Sequence, residues 1–217
     1  MAKRQALRRA QVMALLRRGD FPAFVEMVKQ EHTLATLLLQ LLYDPGDLLH
    51  WRSIEALGYL ARALPAQVEI MIPRLLWLLN EDSGSFGWGA AAALGEIGRN
   101  NLKLVNNIIL IMFSLLQEEF SRPAMLWGLG RLGEKHPEAI QEGIPTIRKL
   151  LLDPEEVVRA NAAWCLGLAG ASEAVPDLQL IQDDPAPVKL YEDGELQATT
   201  VGQIARKALI RLEGEPG

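Results

Sequence analysis

The chain has 217 residues, 49% of them apolar and 23% charged, enough to bury a sizeable core and too apolar for a disordered chain. Its net charge is −5, and because six cations (Lys3, Arg4, Arg8, Arg9, Arg17 and Arg18) precede the first acid at Asp20, the remainder carries −11, a balance that repels phosphate backbones. One cysteine, Cys165, excludes an internal disulfide and a thiolate metal cluster and suits a reducing compartment.

No apolar export segment succeeds the basic start, and the longest largely apolar run, 108–116, is less than half of the roughly 20 residues that span a bilayer as a helix. A soluble, cytoplasmic protein is expected. Residues 3–18 read as a helix whose stripe of Leu7, Val12, Leu15 and Leu16 docks on the first repeat and caps the array. The arginines then face solvent, although the same helix suits an acidic partner, RNA or anionic lipid. Residues 21–30 and 33–43 read as a degenerate helical pair.

A repeat then dominates. Segments 54–61 (IEALGYLA), 91–98 (AAALGEIG), 126–133 (LWGLGRLG) and 163–170 (AWCLGLAG) align on a Leu-Gly pair beginning at Leu57, Leu94, Leu129 and Leu166, spaced 37, 35 and 37 residues. A second apolar helix is expected after each, over 67–79, 102–117, 138–152 and 174–182. Pro65 and Pro137 mark turns within repeats, while Asp153-Pro154-Glu155-Glu156 reads as an N-cap, a first-turn proline and an N3 acid. Asp20-Phe21-Pro22 and Ser121-Arg122-Pro123 are weaker versions of the same signal.

Downstream the period changes. Residues 188–191 and 195–198 alternate with period two around Asp193-Gly194, which predicts a β-hairpin. A last helix should come next, capped by Thr200 with Gln203 at N3 and running to about Leu212.

The Leu-Gly-x-x-Gly pattern, the pair Ala162-Ala163 and Asp153 with Val158-Arg159 resemble the short HEAT repeats of the phycobilin-lyase type, over about residues 44–213. The resemblance implies an all-α, right-handed α-solenoid of helical hairpins carrying the small β-hairpin near its C-terminus. The chain's own patterning reads as one domain over 1–217, with a basic cap (1–19), a degenerate repeat (20–43), four clear repeats (44–183) and a terminal hairpin plus helix (184–217).

Arrays of this kind include scaffolds, bilin lyases and the di-iron enzyme deoxyhypusine hydroxylase, so chemistry must be read from the residues. The hydroxylase places the His of a His-Glu pair six residues before the repeat Leu. Here those positions hold Trp51, Trp88, Pro123 and Ala160, and no His-Glu dipeptide occurs. His32, His50 and His136 lie in different repeats, with His50 read as a solvated helix residue. No catalytic or metal-binding residue is assigned, and no cofactor. Cys165 reads as an inert core residue.

The tryptophans are more informative. Trp51 and Trp88 lie six residues before their repeat Leu, while Trp127 and Trp164 lie two before theirs, and positions four apart share a helix face. These four form one expected column across the first helices. The column either lines a groove that holds a partner peptide, a partner helix or a planar ligand, or is inter-repeat core. Arg122 and Arg159 recur seven residues before their repeat Leu, placed to meet an anionic ligand or to pair with turn acids such as Asp153 and Glu119. The turn 80–90, rich in Gly and Ser, suits close helix packing or an anion site.

The reading is therefore an interaction scaffold that holds a protein segment on Trp51, Trp88, Trp127 and Trp164, with Arg122 and Arg159 beside them. The alternative is a cofactor-handling lyase or chaperone of the bilin-lyase kind that uses the same groove for a planar small molecule. A nucleic-acid-binding HEAT protein, as in some alkylpurine DNA glycosylases, is disfavoured by the acidic body.

Overall fold

A computed structural model describes residues 2–79 and 87–214, with the side chains of 2–5, 87 and 88 outside that description. The chain divides into two compact units, Met1–Val105 and Asn106–Gly217. The expected anion site in 80–90 falls largely outside the described residues.

The first unit holds α1 (Ala2–Arg18), α2 (Phe21–Gln30), α3 (Thr36–Leu39), α4 (Leu48–Ala63), α5 (Pro65–Glu69), α6 (Ile72–Leu79) and α7 (Gly87–Asn100). Helix α2 starts where expected, because the Asp20 side chain accepts from the amide of Ala23, satisfying one of the donors a helix start leaves open. In α4 the buried Leu49, Ser53, Ile54, Leu57, Leu60 and Ala61 recur at three- and four-residue intervals, which makes one apolar stripe. Helices α1, α2 and α7 pack against α4. Each fully buried leucine in this stripe contributes about 1.5–3 kcal/mol.

Helix α4 ends because Leu64 precedes a proline and is driven out of the helical region, to φ −139° and ψ 60°. His136, before Pro137, repeats that geometry at φ −135° and ψ 63°.

The second unit holds α8 (Ile109–Ser114), α9 (Arg122–Lys135), α10 (Pro137–Ile140), α11 (Ile144–Lys149), α12 (Glu156–Leu168), α13 (Val175–Ile181), β1 (Pro187–Glu192), β2 (Glu195–Thr200) and α14 (Val201–Glu213). Helix α12 packs between α9 and α14.

The repeat glycines mark these approaches. A Cβ added at Gly58 would stand 2.8 Å from Oε1 of Glu96 on α7; one at Gly130 would stand 3.0 Å from the Trp164 ring on α12, and one at Gly167 2.7 Å from Cβ of Ala208 on α14. At these three Leu-Gly pairs the glycine is where the next first-position helix of the same unit lies down, and α14 takes that place after α12.

Three of the four expected second helices are broken, while the fourth, expected over 174–182, forms as α13. Residues 67–79 divide into α5 and α6, and 138–152 into α10, α11 and two 3-10 turns. Pro73 and Pro145 stand second in α6 and α11, where the ring removes a helix donor and clashes with the preceding turn. Residues 102–117 are three 3-10 turns around α8, with the first break at Val105. Asp153 is not a helix cap, since α12 begins at Glu156 and its side chain instead accepts from the amide of Glu155.

The β-hairpin forms as expected, with β1 antiparallel to β2 and Glu192 opposite Glu195. Asp193 and Gly194 take φ 52° and 81°, the left-handed pair of a tight two-residue turn. Helix α14 begins in a reciprocal capping box between Thr200 and Gln203.

Candidate functional site

The second unit brings two of the six expected site residues together. Trp127 on α9 and Trp164 on α12 stack with ring centroids 5.7 Å apart and planes inclined by 14°, an approach that Gly130 permits. Such a pair is worth about 0.5–1.5 kcal/mol beyond the area it buries.

The groove expected at these residues is closed by the hairpin. Trp127 is 1% exposed and Trp164 3%. Trp127 Nε1 donates to the backbone carbonyl of Tyr191 over 3.0 Å, and Trp164 Nε1 donates to Oε1 of Glu192 over 3.0 Å. The Tyr191 ring lies 6.2 Å from that of Trp127. Two cations of α14 complete the cluster on the Glu192 carboxylate, Lys207 Nζ at 3.2 Å and Arg211 at 3.0 Å. Burial pushes this carboxyl up, but the hydrogen bonds from Trp164, Arg211 and Lys207 outweigh it and hold the group below the usual glutamate range.

Arg122 and Arg159 occupy equivalent places. Arg122 donates to the carbonyls of Leu116 and Gln117 in the turn before its own helix and pairs with Asp153 at 2.9 Å. Arg159 donates to the carbonyls of Asp153 and Pro154 and pairs with Asp184 at 2.8 Å. Asp153 and Asp184 each also accept from the amide two residues on, Glu155 and Ala186. Each arginine therefore ties its own turn to the next, and Asp184, not Glu119, is the second acid of the ladder.

In the first unit Trp51 is half-buried and donates its Nε1 to the carbonyl of Pro45 over 2.8 Å. Trp88 lies in the first turn of α7 and its side chain is outside the described residues. His50 is not a solvated residue: it is 2% exposed, beside Trp51 and under Gly89, and its Nδ1 has no hydrogen-bond partner among the described residues. Burial lowers its pKa to about 4, against the opposing pull of Asp44, the Leu42 backbone and Asp47.

The family described as HEAT repeats matches residues 118–190, the stretch that contains the arginine ladder and the tryptophan stack. An uncharacterized protein of Archaeoglobus fulgidus is 32% identical over 173 residues, covering 77% of this chain and 91% of its own length. The chain belongs to the family of that archaeal protein and is a HEAT-repeat protein. Two engineered proteins of known structure share its fold. One has a TM-score of 0.58 at 18% identity, covering 98% of this chain and 92% of the other; the second has 0.51 at 18% identity, covering 85% and 49%.

Within these HEAT repeats Cys165 is fully buried and its thiol is pushed up by desolvation. Among the described residues no group of three or more His, Cys, Asp or Glu side chains is placed to hold a metal ion, and no helix is long and apolar enough to cross a membrane. Sequence reasoning missed the cluster of Glu192, Lys207 and Arg211. Its only local trace is that Lys207 and Arg211 stand four apart, and so share one face of α14.

Proposed function

We infer that this HEAT-repeat chain is a protein-interaction module that holds an extended segment of a partner on the tryptophan-bearing faces of its first-position helices. Trp51 and Trp88 serve this role in the first unit, and Trp127 and Trp164 serve it in the second once the hairpin that covers them is displaced. The observation that carries the reading is the Trp127–Trp164 stack, whose two indole N–H groups both bond one extended strand. Indoles combine large apolar area with a donor at low entropic cost, which suits them to recognition. Arg122 and Arg159 support the surface by holding successive turns in register.

The test is affinity capture from the cells in which the chain occurs, comparing wild type with Trp51→Ala, Trp88→Ala, Trp127→Phe and Trp164→Phe, each first shown to melt cooperatively. A protein retained by wild type and lost by at least one variant supports the module. If all five proteins retain the same partners, the tryptophan faces are not the binding surface.

A further inference from the structure

The hairpin is an addition that the helical stack does not require. Helix α14 packs directly on α12 at Gly167 and Ala208, as α12 packs on α9 at Gly130, so the helices meet without it. Strand β1 buries Val188, Leu190 and Tyr191, whereas β2 has no buried residue, and a two-stranded hairpin by itself is marginal in water.

What the hairpin presents to the helices is a ligand-like dipeptide. One indole fixes the main-chain carbonyl of Tyr191, the tyrosine ring leans on the same indole, and the next side chain, Glu192, is taken by the second indole and two cations. A main-chain carbonyl fixed by one donor, next to a side chain selected by charge, is the way a groove reads an extended peptide. Lys207 and Arg211 remain 53% and 39% exposed, so an incoming carboxylate can reach them before the hairpin leaves.

We propose that Trp127, Trp164, Lys207 and Arg211 form a peptide-recognition site that the chain's own Tyr191-Glu192 occupies in cis, and that the partner is an extended segment bearing an aromatic or large apolar residue immediately before an Asp or Glu. This rests on the interaction-module reading and specifies its partner in the second unit. The tethered tip competes at an effective concentration of order mM, so a segment in trans binds weakly until the tip is weakened or outcompeted, and the hairpin sets the threshold for binding.

The experiment uses a fluorescein-labelled peptide copying residues 188–193, titrated by fluorescence anisotropy against the full chain. A Tyr191→Ser, Glu192→Ala variant, confirmed folded by circular dichroism, should bind at least about tenfold more tightly than wild type, because its cis competitor keeps only the main-chain carbonyl contact and has lost the aromatic and the carboxylate. Adding Trp164→Phe to that variant should remove the binding. If the double variant does not fold, Glu192→Gln replaces it, keeping the bulk of the tip while removing the charge that Lys207 and Arg211 hold, with the same ranking expected. A folded variant that binds no more tightly than wild type, or binding that survives Trp164→Phe, overturns the proposal. Either result leaves a partner captured through Trp51 or Trp88 unaffected, so failure here is distinguishable from failure of the module.

Discussion

Trp164 and Glu192, 28 residues apart in the chain, are joined by a 3.0 Å hydrogen bond from indole Nε1 to the carboxylate, and that carboxylate is also the anchor for Lys207 and Arg211. Three donors from two helices thus converge on one side chain at the tip of a hairpin. Hydrogen bonds to a charged group are worth about 1.5–3 kcal/mol when its partners are otherwise left unpaired, so Glu192→Ala should destabilise the second unit by roughly 1–3 kcal/mol, read from urea unfolding. The folded-state pKa of Glu192 lies below its unfolded value. Its contribution is therefore present above the unfolded pKa, near 4.3, and is lost as pH falls through the folded one. Wild type should lose stability in this acid range more steeply than Glu192→Gln.

Gly167 to Ala should reverse the usual sign of a helix substitution. Replacing an exposed helical glycine by alanine gains up to about 1 kcal/mol. Here the new methyl would stand 2.8 Å from Cα of Ala208, a backbone atom that yields only if α14 shifts, and such overpacking costs about 1–3 kcal/mol. A lower denaturation midpoint in Gly167→Ala is the expected outcome, and a higher one would show that the α12–α14 contact is looser than the geometry requires.

Arg122 and Asp153 tie two turns together while both are partly buried. A double-mutant cycle on Arg122→Ala and Asp153→Ala should give a coupling energy of about 1–2 kcal/mol, above the value for exposed pairs. The equivalent cycle on Arg159 and Asp184 should give a similar or slightly smaller value, since the geometry is alike but Asp184 is more exposed than Asp153. A coupling near zero in both would remove the ladder as a source of repeat register.

His50 should make the first unit sensitive to mild acid. Its folded pKa of about 4 lies below the ordinary histidine value of 6.5, so the unfolded chain binds the proton first and stability falls as pH drops from 6.5 towards 4. The full loss is of order 3 kcal/mol. His50→Leu should flatten the pH dependence of the first unit's unfolding over that interval, and an unchanged slope would mean that other groups carry it.

Several features were legible because they are local. The Leu-Gly pairs at 57, 94, 129 and 166 announced the repeat, since small residues at fixed spacing are needed wherever one helix crosses the next closely. Asp193-Gly194 and Thr200 with Gln203 announced the hairpin turn and the last helix cap, because each is satisfied within a few residues of chain. The broken second helices were less legible. Pro73 and Pro145 were present to be read, but the apolar run on either side of each hid the break they impose.

The repeat, its period and the position of the hairpin come from propensity, patterning and turn chemistry, all decided by neighbours in the chain. The state of the tryptophans does not. Periodicity places Trp127 and Trp164 on one face, but whether that face is open depends on a strand that returns to it 64 residues after Trp127, and no local rule encodes that return. The same holds for His50, which lies against Gly89 of another helix, and for Arg159, whose partner is Asp184 and not a turn acid beside it. These contacts join residues far apart in the chain, so only the packed tertiary arrangement decides which polar groups lose water and which gain a partner in its place.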